Sequence, residues 1–270
     1  MSLRRVVSLL CLAASATALV GCGGDTFALD PVARAADKTA SSQSARFTFS
    51  ADVTGPAGNF SMKGDGVLDG EANLGWMNMT MNVPPSMQAQ VGANPSTELI
   101  VDAGDGLVMY MRSPTLLPGV PTGKWVKIDV EELADKGGVD LDAIMSTNRA
   151  DPSQVLAMLK ASSQARVTGF ESVRGVHTTK YAFNIDLAKL GKESGFGEAF
   201  EQAIETTGMR SFPAEAWIDS QDRVRRIRFT WSMGQFGMTI TEDLFDYGVR
   251  QHIRVPTDAE VVDLSSLLGG

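Results

Sequence analysis

Few residues along the 270-residue chain could carry chemistry, and their spacing narrows what that chemistry could be. The only histidines are His177 and His252, whereas a zinc site draws on several His or Cys ligands. His177 stands in a strand pattern beside Thr178 and Thr179, where a hydrogen-bonded or solvated imidazole is expected rather than a general base. Acidic groups gather at Glu131, Glu132, Asp135, Asp140 and Asp142 without the spacing of an EF-hand loop, so they read as a solvated connection. Arg223, Arg225, Arg226 and Arg228 form the basic cluster, and strand alternation divides it between two faces. There is no G-x-S-x-G, P-loop, G-x-G-x-x-G or H-E-x-x-H. The chain therefore reads as a non-enzyme with neither metal nor cofactor.

A stronger signal surrounds the second cysteine. Arg4 and Arg5 precede an apolar run from Val6 to Val20, broken only by small Ser and Thr. As a helix this run would reach about 22 Å, short of the ~30 Å hydrocarbon core. A charged start, a short apolar stretch and small residues near a cleavage point read as a signal peptide. The stretch Leu19-Val20-Gly21-Cys22 then resembles the lipobox of bacterial lipoproteins, whose cysteine thiol receives diacylglycerol before the chain is cut ahead of it. The expected organisation is a removed signal peptide over 1–21, a lipidated tether over 22–29 and one domain over 30–270. Two acyl chains hold a protein stably where one holds marginally. A tether from Cys22 to Asp30 reaches about 27 Å when fully extended. The folded body is thus expected close to the extracytoplasmic face of the cell membrane.

Composition agrees with an exported body. Cleavage leaves residues 22–270 and removes only Arg4 and Arg5 among the charges, so the formal net charge moves from −8 to −8 − 2 = −10. Such acidity argues against nucleic acid and against broad docking to anionic headgroups. Cys11 leaves with the signal and Cys22 is lipidated, so no internal disulfide is expected.

Along the body, Asp30-Pro31 opens a helix through Ser42 by N-cap and first-turn proline. The period then falls to two. Phe47, Phe49, Ala51 and Val53 share a face. So do Phe60, Met62 and Leu68, and then Met77, Met79 and Met81. Residues 84–96, with three prolines and Gly92, read as an irregular loop. Thr97–Ala103 and Leu107–Ser113 form a hairpin that brings Leu107, Met109 and Met111 to one side, and Lys124–Val130 adds a strand. Residues 131–150 read as a polar connection, followed by a helix from Asp151 through Ser162. Strands resume at Ala165–Val173 and Gly175–Asp186, where Tyr181, Phe183 and Ile185 face together. An amphipathic helix is expected over Gly195–Gly208. Strands at Ser211–Asp219, Arg223–Ser232 and Phe236–Asp246 turn Ile227, Phe229, Trp231, Met238 and Ile240 inward, and Val249–Val255 is read as a further strand. The pattern predicts about ten or eleven antiparallel strands and about three helices, with one apolar face and one solvent-facing polar face.

Methionine marks the apolar face. Met62, Met77, Met79, Met81, Met109, Met111 and Met238 fall on it, and Met adapts to irregular apolar partners. About ten strand spacings of ~4.8 Å make a sheet some 48 Å wide, more than three helices of ~10 Å can cover. The sheet must curl around its helices or leave part of its apolar face lining a cavity. The expected lining is Phe47, Phe49, Phe60, Met62, Met77, Met79, Met81, Met109, Met111, Tyr181, Phe183, Phe229, Trp231 and Met238.

The body resembles the LppX/LprG-type lipoproteins of actinobacteria and, more distantly, the LolA/LolB-type carriers. The resemblance rests on Ser44-Ala45-Arg46-Phe47, Val108-Met109-Tyr110-Met111, Lys124-Trp125-Val126-Lys127-Ile128-Asp129, the run from Val173 to Tyr181, Ala216-Trp217-Ile218-Asp219, and Asp246-Tyr247-Gly248. It implies an unclosed, strongly curved antiparallel half-barrel with helices over its concave face and an acylated lipid as ligand. The competing expectation is a half-barrel interaction module that binds a protein partner in the cell envelope.

Overall fold

Apolar residues from segments far apart in sequence meet on one sheet. The computed structural model of the chain describes residues 31–56, 58–92, 94–113, 120–129, 162–194, 201, 204–205 and 208–264. Helix α1 (Pro31–Ala40) comes first, with proline in the turn whose N–H groups have no intrahelical acceptor. Its buried stripe is Val32, Ala35, Ala36 and Thr39. Then come β1 (Ser44–Thr54), β2 (Phe60–Asp69), β3 (Leu74–Asn82), α2 (Pro85–Val91), β4 (Ser96–Asp102), β5 (Val108–Arg112) and β6 (Trp125–Asp129). The second half holds β7 (Ser162–Val173), β8 (Val176–Asp186), α3 (Leu187–Ser194), β9 (Ser211–Asp219), β10 (Val224–Met233), β11 (Phe236–Phe245) and β12 (Val261–Asp263).

The twelve strands make one sheet in the order β12-β6-β5-β4-β3-β2-β1-β11-β10-β9-β8-β7. Two antiparallel meanders, β1–β6 and β7–β11, are joined by the pairing of β1 with β11. Its ends, β12 and β7, are not paired with each other, so the sheet is unclosed. The turn between β7 and β8 shows how local chemistry sets a register. Arg174 and Gly175 both take positive φ, 50° and 80°, the backbone of a tight hairpin whose twist matches its strands.

The inner face carries the main core. Val32, Ala35 and Ala36 of α1, together with Leu187 and Leu190 of α3, pack on Phe47, Phe183, Ile185, Ala214, Ala216, Ile218, Val224, Ile227 and Leu244. The hydroxyl of Thr39 accepts the Val224 N–H at 2.9 Å, fastening α1 to β10. Among the described residues no helix is long and apolar enough to cross a membrane.

Several expectations are corrected. Residues 85–91 are helical, because Pro85 at the first turn presets a helical φ after extended Pro84, and the helix stops at Gly92 with φ 82°. Residues 249–255 pair with no strand; Ile253 is instead buried against Val67, Ile100 and Trp125. The added strand is β12, and it runs parallel to β6, with Val261 opposite Trp125. The outer face is not uniformly polar, since Val67, Trp76, Ile100, Tyr110 and Trp125 form a second core there under the chain's last segment. The signal peptide, Cys22, the tether and the connection 131–150 lie outside the described residues. The helix through Ser162 does so apart from Ser162 itself, which is strand. Of the helix expected over 195–208, Glu201, Ile204 and Glu205 are described and helical.

Candidate functional site

The strand registers place every residue of the expected lining on the inner face, in rows that run across the sheet. One row is Met111, Leu99, Met77, Gly66, Phe47 and Leu244, taken from β5 to β11. The next is Thr97, Met79, Gly64, Phe49, Glu242, Ile227, Ala216 and Tyr181. A third holds Met81, Met62, Ala51, Ile240, Phe229, Ala214 and Phe183. Phe60, Val53, Met238 and Trp231 make a fourth. Met109 stands with Val101, Gly75, Leu68 and Ala45 in a fifth.

Burial divides these rows into a sealed half and an open half. Phe47 and Phe183 are buried in the core beneath the helices, and Phe49, Met77, Tyr181 and Phe229 pack against it. Phe60, Met62, Met79, Met81, Met109, Met111, Trp231 and Met238 are half-buried and belong to neither core. The open half is thus dominated by methionine.

Two glycines shape the boundary between the halves. Gly64 and Gly66 stand opposite Phe49 and Phe47, and the phenyl rings lie over the space where side chains would otherwise be. A Cβ on Gly64 would come within 2.5 Å of Phe49 Cε1, and one on Gly66 within 2.6 Å of Phe47 Cε1. The rings therefore lie along the wall, 6.5 Å apart and tilted by 31°. Glycine inside a strand often marks such a close approach.

Glu242 is the residue that sequence reasoning missed. It sits in the inner row between Phe49 and Ile227, and burial, with the nearby Asp243 charge as a lesser cause, pushes its carboxyl up to about 7. The signal was present in the alternation Met238, Ile240, Glu242, Leu244, where one charge interrupts an inward series.

The other candidate groups have ordinary partners. His177 is exposed, with Nδ1 3.3 Å from Ser172 Oγ. His252 is exposed beside the outer core. A register shift between Val224 and Arg226 accompanies the division of the arginines. Arg223 and Arg225 hold Asp219 at 3.2 and 2.7 Å, while Arg226 holds Asp243 at 2.5 Å. Arg228 lies 3.6 Å from Glu215. Trp217, only 1% exposed, lies under Lys180, Arg226 and Arg228 and donates its indole N–H to Glu171 at 2.9 Å. The charges around Trp217 tie β7–β11 together on the outer face.

No family model matches the chain. It is 28% identical over 152 residues to an uncharacterized 31.2 kDa protein of Streptomyces griseus from the rplA-rplJ intergenic region, a match covering 53% of this chain and 49% of that one. The chain thus spans about half the length of this curated relative. Among solved structures it is similar to LprF from Mycobacterium bovis, at 17% identity and a TM-score of 0.49, covering 84% of this chain and 95% of that one. It is also similar to the lipoprotein LppX of Mycobacterium tuberculosis, at 13% identity and a TM-score of 0.44, covering 84% of this chain and all of that one.

Proposed function

We propose that this protein is a membrane-anchored extracytoplasmic lipoprotein that binds an acylated lipid against the open, methionine-rich half of its inner face. The carrying observation is the row structure: Met62, Met79, Met81, Met109, Met111 and Met238 share one face and stay half-buried beside a sealed core. Unbranched, polarizable side chains suit an apolar ligand of irregular shape. The Leu19–Cys22 run supports the anchor, and two acyl chains on Cys22 would hold the body at its bilayer. Labelling with a palmitate analogue should mark wild type and leave Cys22→Ala dark; equal label on both removes the anchor.

Met109→Arg tests the site. Beside a cavity the guanidinium stays hydrated, so the fold should survive while lipid occupancy falls. In a sealed core an unpaired charge would cost several kcal/mol, comparable to a domain's whole stability. Native mass spectrometry of protein from its own host, with circular dichroism melts on the same preparations, separates the outcomes. An unfolded variant together with a lipid-free wild type would overturn the reading.

A second reading, a module that binds a protein partner in the envelope, draws on the edge strand β7. Phe170 there is 81% exposed and Val167 54% exposed, on a strand whose outer edge is unpaired among the described residues. Such an edge can take an added strand.

A further inference from the structure

The rows of the inner face carry few polar groups: the hydroxyls of Thr97 and Tyr181 at the two ends of one row, the Trp231 indole, and a single carboxyl near the middle. Glu242 stands on β11 directly between Phe49 of β1 and Ile227 of β10, with Ile240 and Leu244 on either side of it along its own strand. Among the described residues it receives no hydrogen bond and meets no cation. Several other sheet carboxylates are matched by cations. Glu98 meets Arg112, Glu171 and Glu215 meet Lys180, and Asp219 meets Arg225. Even the adjacent Asp243, turned to the outer face, is held by Arg226 and Arg174. The sequence therefore supplies partners for these carboxyls and withholds one from Glu242.

Its position explains where a partner would come from. Ile227 on one flank belongs to the sealed core. On the other flank, beyond Phe49, Gly64 has no side chain and the half-buried Met79 follows. Glu242 thus stands where the sealed core gives way to the open methionine rows. A polar group left unsatisfied in an apolar wall costs free energy that a leucine would avoid, and a donor arriving with a ligand removes that cost.

Resting on the lipid-binding reading above, we propose that Glu242 is the polar anchor of the site, accepting a hydrogen bond from a free hydroxyl on an otherwise apolar lipid. A cationic headgroup fits less well. It would bring a second charge out of water, and a buried ion pair regains that cost only with further hydrogen bonds, which the side chains of Phe49 and Ile227 do not offer. A neutral hydroxyl loses less hydration and can bond either the carboxylate or the carboxylic acid. Both forms are populated near neutral pH, since burial pushes this carboxyl up to about 7.

The probes are dioleoylglycerol, with one free hydroxyl, and its O-methyl ether, nearly the same shape without the donor. Affinities are read by native mass spectrometry or by displacement of a fluorescent fatty acid from full-length protein. Wild type should prefer the free alcohol by about tenfold, in line with a hydrogen bond to a charged acceptor. Glu242→Leu should bind both lipids alike. Glu242→Gln, whose amide oxygen still accepts, should keep part of the preference. A wild type that does not distinguish the two lipids overturns the anchor whether or not the Leu variant folds. A preference that survives in Glu242→Leu overturns it as well. Tight binding of both lipids without preference leaves the lipid-binding reading standing, whereas uptake of neither removes both.

Discussion

Glu242 also bears on stability, through protons. Its carboxyl titrates near 7 in the folded protein, above the 4.5 of an ordinary glutamate, so the fold holds this proton more tightly than the unfolded chain does. Asp243 is the like charge beside it, on the opposite face. The described groups facing it from β1 and β10 are the apolar Phe49 and Ile227, and those of α1 in the same core are Val32, Ala35 and Ala36. Glu201 and Glu205, next to core-packed Ile204, are exposed. The stabilisation tied to this proton is fully present below the unfolded value and is lost as pH rises through about 7. Its size is on the order of 3 kcal/mol, since each pKa unit is worth ~1.4 kcal/mol. Glu242→Gln should therefore be more stable than wild type at pH 8, with the gap closing toward pH 4.5. Urea melts of the lipid-free protein at both pH values measure it, and parallel pH profiles for the two proteins would contradict it.

At the scale of elements, the segment from Val249 to Asp263 behaves as a strap across the outer face. Ile253 fills the second core, Arg254 pairs with Glu260 at 2.7 Å, and Thr257 and Glu260 cap each other where the chain turns into β12. Lys124 donates to the Ala259 carbonyl from the start of β6. Ile253→Ala should cost about 2–4 kcal/mol, the usual range for emptying such a site. It should also shift tryptophan emission to the red, because Trp125 and Trp76 line the same cluster. Unchanged urea midpoint and emission would mean that the strap does not seal this face. The strap was hard to read from sequence for a physical reason. Strands such as Phe47–Val53 and Met77–Met81 alternate within themselves, so their period of two is visible in one segment. The outer core takes single apolar residues, Val67, Trp76, Ile100 and Tyr110, from four polar-looking strand faces, and only the register gathers them. β12 is three residues long and too short to show any period. The inner-face rows were legible because they follow alternation, whereas their division into sealed and open halves depends on which helices cover which rows.

For the whole molecule, the β1–β11 pairing decides cooperativity. Each meander presents a terminal strand to the other, so neither half can unfold without exposing an unpaired edge and part of the shared inner core. We expect a single calorimetric transition for the body from Asp30 onward, unmoved by chelator. Two separated transitions would show that the halves are independent. The same pairing sets a schedule for how the protein is made. Arg46 meets Phe245, which follows it by 245 − 46 = 199 positions. At roughly 5–20 residues per second, some 10–40 s of synthesis separate these two partners. Throughout that interval β1 has a bare edge bearing Phe47 and Phe49, with the potential to pair with another copy of the chain. The nascent first meander is thus the aggregation-prone stage of this protein's biogenesis, and its quality control must act before β11 arrives.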